Sequence, residues 1–251
     1  MTANNTVGAS ERTLRILECL EENGGMGVSE LAAEFDLPKS TVHNHLDTLR
    51  RNEYVVKRDG IYKLGLRFLK LGAHARTRKQ VYEEGKAEVN ELAQKTGALA
   101  NLAVEEYREG VYLYLAQGDQ AVELDTYAGM RFSLHCTALG KAILAHLPEE
   151  RRRNIIASHD LPRCTPNTIT DAEELTEELA TVRDQGFAQD RAERLEGLRC
   201  VAAPIQGGTD SILGAISVSA PTSRMKDEQF NDKIPEEVLD AANVIELNIK
   251  F

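Results

Sequence analysis

The chain has 251 residues, enough for two domains of ordinary size, with 42% hydrophobic and 28% charged side chains, a globular composition that excludes a disordered or fibrous protein. No apolar run approaches the roughly 20 residues that a membrane-crossing helix needs, and the opening MTANNTVGASERT fits neither a secretion signal nor a transit peptide, so a cytoplasmic protein without a membrane partner is expected. A net charge of −10 speaks against nucleic acid until it is divided: residues 1 to 79 carry 13 basic and 10 acidic side chains, residues 37 to 79 carry 11 and 3, and the chain from residue 80 carries 17 and 30.

Residues 10 to 22, SERTLRILECLEE, predict a first helix with Leu14, Leu17 and Leu20, together with Ile16, on one stripe, Ser10 as its cap and Asn23-Gly24-Gly25 as its stop. SELAAEF predicts a short second helix that buries Leu31, Ala32 and Phe35. After the turn DLPKS, with Pro38 suited to the first turn of a helix, KSTVHNHLDTLRRN puts Val42, Leu46 and Leu49 inward at i, i+4 and i+7. That leaves Lys39, Ser40, Thr41, His43, Asn44, His45 and Thr48 outward, with Arg50 and Arg51 at the end. These are short polar and basic groups suited to base edges and phosphates, as on a recognition helix. YVVKRDGIYKLG then predicts a hairpin around Asp59-Gly60, a wing carrying Lys57, Arg58 and Lys63.

Leu66, Leu69 and Gly72-Ala73 form an apolar stripe on a connecting helix, to be buried either by a partner or by the chain's own head, and Val81, Val89 and Leu92 continue on a further helix. REGVYLYLAQ predicts a strand in which Val111, Leu113 and Leu115 alternate with Tyr112 and Tyr114, and RCVAAPI a short apolar strand. In the strand SILGAISVSAP, Ser217 and Ser219 share a face, because strand side chains repeat every two residues, and their hydroxyls need partners such as a polar ligand, backbone or water. In HCTALGKAILAHL, Thr137 starts a helix whose first turn, Ala138, Leu139 and Gly140, is small. Its free N–H groups and the positive end of the helix dipole suit a carboxylate. LPRCTPNTIT, Pro- and Thr-rich with no helical period, reads as a loop, placed over the pocket by analogy alone, DAEELTEELATVRDQG as a helix, and PEEVLDAANVIELNI as a last helix packed through Val238, Leu239, Ala242 and Ile245. Cys19, Cys136, Cys164 and Cys200 show neither CxxC nor metal-finger spacing and read as buried free thiols, with no metal and no cofactor expected.

The run SELAAEFDLPKSTVHNHLDTLRRNEYVVKRDGIYKLGLRFLKLG resembles the DNA-binding half of the IclR family of bacterial and archaeal regulators, and SLHCTALGKAILAHLP, GFAQD, GLRCVAAPI and GAISVSAP follow in the order of that family's effector domain. The resemblance implies an α+β chain: a winged helix-turn-helix over residues 1–65, a linker helix over 66–80 and a GAF-like α/β effector-binding domain over 81–251. It also implies homodimers or homotetramers on palindromic operators in double-stranded DNA. For the effector it implies an acid held by main-chain groups at Ala138 and Leu139 and by side chains at Asp190, Cys200, Ser217 and Ser219. An ionised Asp190 would repel an anion in a low-dielectric pocket unless it is protonated or accepts a hydrogen bond from the ligand, which favours a hydroxy- or keto-acid such as a sugar acid or an aromatic catabolite. The rival reading is an enzyme acting on a small organic acid, with Cys200 or Ser217 as nucleophile and His135 as base. The chain carries neither a nucleophile-elbow signature nor a glycine-rich phosphate loop, so no enzyme is expected. An adaptor that uses a winged helix without DNA is disfavoured by the basic head.

Overall fold

The computed structural model describes residues 6–158, 160–208 and 211–250; residues 1–5, which open the segment expected to carry no targeting signal, lie outside the described residues. The chain forms two compact units, Met1–Ala75 and Arg76–Phe251.

The first unit runs α1 (Gly8–Glu22), β1 (Met26–Gly27), α2 (Val28–Glu34), α3 (Lys39–Arg51), β2 (Val55–Arg58) and β3 (Ile61–Leu64). Its three strands pair antiparallel in the order β1-β3-β2. Ile16, Leu20, Leu31, Val42, Leu46, Leu49, Val55 and Tyr62 make its core, so α3 packs on the face its spacing predicts. Two expectations for α1 fail. The helix starts at Gly8 with Val7 as cap, which leaves Ser10 inside it, and Leu14 is 58% exposed. Leucines spaced by three fall behind the 3.6-residue turn, so a stripe centred on Ile16 and Leu20 carries Leu14 out to solvent. Pro38 is likewise the residue that caps α3 rather than the first within it. Strand β1, two residues long, has no sequence signal beyond Gly25, whose φ of +123° and close approach to Tyr62 and Lys63 leave no room for a side chain.

Helix α4 (Arg67–Thr77) buries none of its residues; Leu66 and Leu69 are 81% and 68% exposed, so the predicted stripe is uncovered by the head.

The second unit continues with α5 (Gln80–Thr96), β4 (Leu99–Glu106), β5 (Glu109–Gln117), β6 (Arg131–Phe132), α6 (Ala138–His146), α7 (Glu149–Ser158), α8 (Ala172–Gln185), β7 (Ala188–Arg191), β8 (Leu198–Gln206), β9 (Ile212–Pro221), a π-helical turn (Gln229–Lys233) and α9 (Ile234–Lys250). Six antiparallel strands follow the order β6-β5-β4-β9-β8-β7. Helices α5 and α9 cover one face through Val89, Leu92, Val238 and Ile245, while α6 and α8 pack on the other through Leu139, Ile143, Leu175 and Leu179. The simple alternation expected of β5 breaks at a bulge. The register jumps between Leu102 and Ala103, leaving Leu113 unpaired. Tyr112 and Leu115 therefore face the α6 side, whereas Leu113 and Tyr114 face α5, where the Tyr114 hydroxyl donates to Asn90 Oδ1 at 3.1 Å.

Candidate functional site

In the first unit the exposed face of α3 is built by what lies beneath it: Val42, Leu46 and Leu49 are buried and fix the helix, so Lys39, Ser40, His43 and Asn44 must face solvent, with Thr41 partly covered. His45 departs from the expectation. Its Nδ1 lies 2.8 Å from Thr13 Oγ1 on α1, so the ring braces two helices instead of standing free among the outward polar groups. Arg50 and Arg51 project from the last turn, both held by Asp47 at 2.9 and 2.7 Å. The hydrogen bond from Arg50 keeps the Asp47 carboxyl below its ordinary range. The hairpin turns on Asp59 and Gly60 at φ +50° and +84°, the paired left-handed angles that match strand twist. Cross-strand register puts Arg58 and Lys63 on one face of the wing and Lys57 on the other, its ammonium 5.0 Å from the Tyr62 ring centroid.

Between α3 and the wing runs an open groove of about 920 Å³ lined by His43, Arg50, Lys57, Arg58 and Arg67, with Asp47 and Glu53. Lys39, Ser40, Thr41, Asn44, Arg51 and Lys63 are not on its walls. Arg67 was not singled out from the sequence. It lies 5.1 Å over the Tyr54 ring and donates to the Asn52 carbonyl at 2.9 Å, placements that depend on the folded turn after α3.

In the second unit, Ala138, Leu139, Asp190, Cys200, Ser217 and Ser219 all line one narrow, largely buried cavity of about 20 Å³, room for about one water. Strand pairing explains the convergence: Asp190 lies opposite Cys200, Cys200 opposite Ser219, and Asn101 opposite Ser217. Thr137 caps α6, accepting from the Gly140 amide at 3.0 Å, which leaves the Ala138 and Leu139 amides in the first turn without an intrahelical acceptor. A Cβ on Gly140 would stand 2.1 Å from the Leu134 carbonyl, so glycine is required for this helix start to dock.

The serine hydroxyls find a side-chain partner that the sequence reading did not weigh. Asn101 Nδ2 donates to Ser217 Oγ at 3.2 Å and Ser219 Oγ at 3.4 Å, while its own buried Oδ1 has no partner among the described residues. Arg194 also reaches the cavity, its guanidinium donating to the Tyr112 hydroxyl at 2.5 Å. It supplies the positive charge that the concern over Asp190 lacked. Asp190 is 1% exposed and accepts from the Glu193 amide at 2.7 Å. Burial pushes its carboxyl up to about 7, with the negative Glu193 adding to the rise, against the pull of the Glu193 and Arg194 amides and of Lys141. A carboxyl raised that far keeps its proton at pH values where an ordinary one is ionised, and its neutral form tolerates an anion beside it. Behind it, Lys141 is fully buried between Glu193 at 2.7 Å and Glu178 at 2.9 Å.

The segment over the pocket is the irregular stretch between β5 and β6, which contributes Leu124 and Thr126, and not the loop at 161–170. That loop docks elsewhere, through Thr165 and Thr168 on the carbonyls of Ala192 and Glu193. The rival catalytic set does not assemble: His135 Nε2 lies 3.0 Å from the Pro162 carbonyl, and neither it nor Pro162 lines the cavity. Burial, with Asp190 nearby, raises the Cys200 thiol far above its ordinary range, the wrong direction for a nucleophile.

Residues 9–59 match the family model of the IclR helix-turn-helix domain, and residues 73–247 match that of the bacterial transcriptional regulator IclR C-terminal domain. The chain belongs to the IclR family. Among its relatives, the probable HTH-type transcriptional regulator ArcR of Halobacterium salinarum is 36% identical over 241 residues, covering 94% of this chain and 92% of that protein. The crystal structure of the Thermotoga maritima IclR protein superposes with a TM-score of 0.82 at 26% identity, covering 96% of this chain and 98% of that one. An IclR homolog from Microbacterium hydrocarbonoxydans, solved with 4-hydroxybenzoate, shares the fold with a TM-score of 0.83 at 24% identity, covering 97% and 99%. This IclR-family chain is a DNA-binding transcriptional regulator; the families and relatives it matches are regulators rather than enzymes.

Proposed function

We propose that this IclR-family regulator works in the cytoplasm as a homodimer or homotetramer that grips a palindromic operator, and that a small organic acid, a sugar acid or an aromatic catabolite, sets its hold. On DNA, the outward face of α3 enters the major groove while Arg50, Arg51 and the wing meet phosphates. Residues 66–80 carry the signal, and the exposed leucines at 66 and 69 give α4 an apolar face for a second copy. An effector acts only through a difference in affinity between two arrangements of the paired heads.

The observation that carries the effector reading is the largely buried cavity, where the α6 amides and Arg194 offer two anion-binding groups while the polar residues Asn101, Asp190, Ser217 and Ser219 remain for a hydroxyl or keto oxygen. The 4-hydroxybenzoate held by the Microbacterium homolog is an acid of this kind. Calorimetric titration of the full chain with 4-hydroxybenzoate and a panel of small hydroxy and keto acids tests it. At least one acid is expected to bind and to change the operator gel shift, and Arg194→Ala should weaken it about tenfold or more, the worth of a charge-assisted hydrogen bond. No binding by any acid would sink the effector reading, and a chain without salt-sensitive affinity for its own upstream DNA would sink the operator reading.

A further inference from the structure

Four cysteines are free, and two of them meet. Cys136, buried just before α6, and Cys164, exposed in the 161–170 loop, are 28 residues apart in sequence and 3.8 Å apart between sulfurs. The contact is held from both sides. Cys164 N donates to Thr168 Oγ1 at 3.1 Å, Thr168 Oγ1 donates to the Glu193 carbonyl at 2.6 Å, and His135 Nε2 contacts the Pro162 carbonyl at 3.0 Å. The loop thereby holds its thiol against the other, and the expectation of a buried free thiol is corrected for Cys164, which is free but exposed.

We propose that Cys136 and Cys164 form a reversible modification site at which a hydroperoxide joins them in an intramolecular disulfide. Cys164, the solvent-facing thiol, is oxidised first: one peroxide oxygen bonds its sulfur to give a sulfenic acid, the O–O bond breaks, and the other oxygen leaves as water, or as the alcohol of an organic peroxide. Cys136 sulfur then attacks Cys164 sulfur, the S–O bond breaks, and the oxygen leaves as a second water with the Cys136 proton. The thiols together lose two electrons and the peroxide gains them. Burial, and then Cys164 itself, push the Cys136 thiol up to about 12, so Cys136 is not the thiol that meets the oxidant first. A disulfide requires the sulfurs to close to about 2 Å, a movement of less than about 2 Å that the exposed loop can supply. The site is separate from the effector reading and stands or falls without it.

The test treats the reduced full chain with hydrogen peroxide, followed by non-reducing peptide mapping. The expected product is a linked peptide pair containing Cys136 and Cys164, two hydrogens lighter than the free pair and released by dithiothreitol. Closing a loop of this length should also raise the melting temperature by about 5 °C in the oxidised chain. Cys164→Ser, a change at an exposed side chain, should keep the fold and lose both effects. Recovery of Cys164 as sulfinic or sulfonic acid or as a bridge between two chains, with Cys136 still open to alkylation after unfolding, would overturn the proposal.

Discussion

In the first unit the polar residues of α3 stand outside a helix whose inner face is wholly apolar, whereas in the second unit Asp190 on β7 and Ser217 and Ser219 on β9 point inward and are buried. Recognition in the head is therefore a matter of exposed, screened charge, where single groups count for little until DNA arrives. In the pocket it is a matter of buried, unscreened charge, where each group needs its partner at all times. The same substitution chemistry should have different consequences in the two places.

The sharpest contrast is at Lys141. Lys141→Met leaves Glu193 buried without its cation and should destabilise the chain by about 3–5 kcal/mol in urea unfolding, which would break the comparison if the loss were no larger than at an exposed ion pair. Next comes Asp190. Its folded pKa lies above the unfolded value, so the unfolded chain releases this proton first as pH rises. The stability it contributes is whole below about pH 4 and is lost progressively up to about pH 7, on the order of 4 kcal/mol. Unfolding of wild type and Asp190→Asn across about pH 4 to 8 should show wild type falling behind the variant over that window and running parallel above it. Binding of an organic acid should weaken as pH rises through about 7, where the folded carboxyl ionises, and Asp190→Asn should remove that dependence.

On the head, Arg50→Ala and Arg51→Ala should leave stability within about 0.5 kcal/mol, because both pair with Asp47 only at the surface. Each should lower the log–log salt slope of operator binding by about 1, read by gel shift over a salt series. The smallest effect on DNA binding belongs to His45. His45→Ala, through loss of the contact to Thr13, should cost about 1 kcal/mol in stability and leave base preference as it was, whereas Asn44→Ala should alter base preference at unchanged stability.

How much was legible in the sequence follows from the same division. The α3 core positions could be read because a single helical period decides them. The convergence of Asp190, Cys200, Ser217 and Ser219 was given by family resemblance, and strand register accounts for it afterward. Asn101 and Arg194 escaped for separate reasons. Asn101 belongs to the cavity only because β4 pairs with β9 at Ser217, a non-local pairing that no local pattern announces. Arg194 sits in a turn after β7 whose path is set by Ala192 at φ +62°, a conformation with no sequence marker at a non-glycine residue. Tyr112 was seen as part of a strand, but its face depended on a bulge that shifts the alternation by one residue. His45 was misplaced because helical periodicity says which side chains leave the core without saying which of them reach sideways to a neighbouring helix.

The size of the cavity has a kinetic meaning. A space for about one water can take the proposed organic acid only if its walls give way, and the stretch bearing Leu124 and Thr126 is the irregular part of those walls. If that movement precedes entry, the observed association rate will level off as ligand concentration rises, at the frequency with which the stretch opens. If the proposed effector enters in this way, the regulator would respond to concentrations that persist for longer than the opening takes.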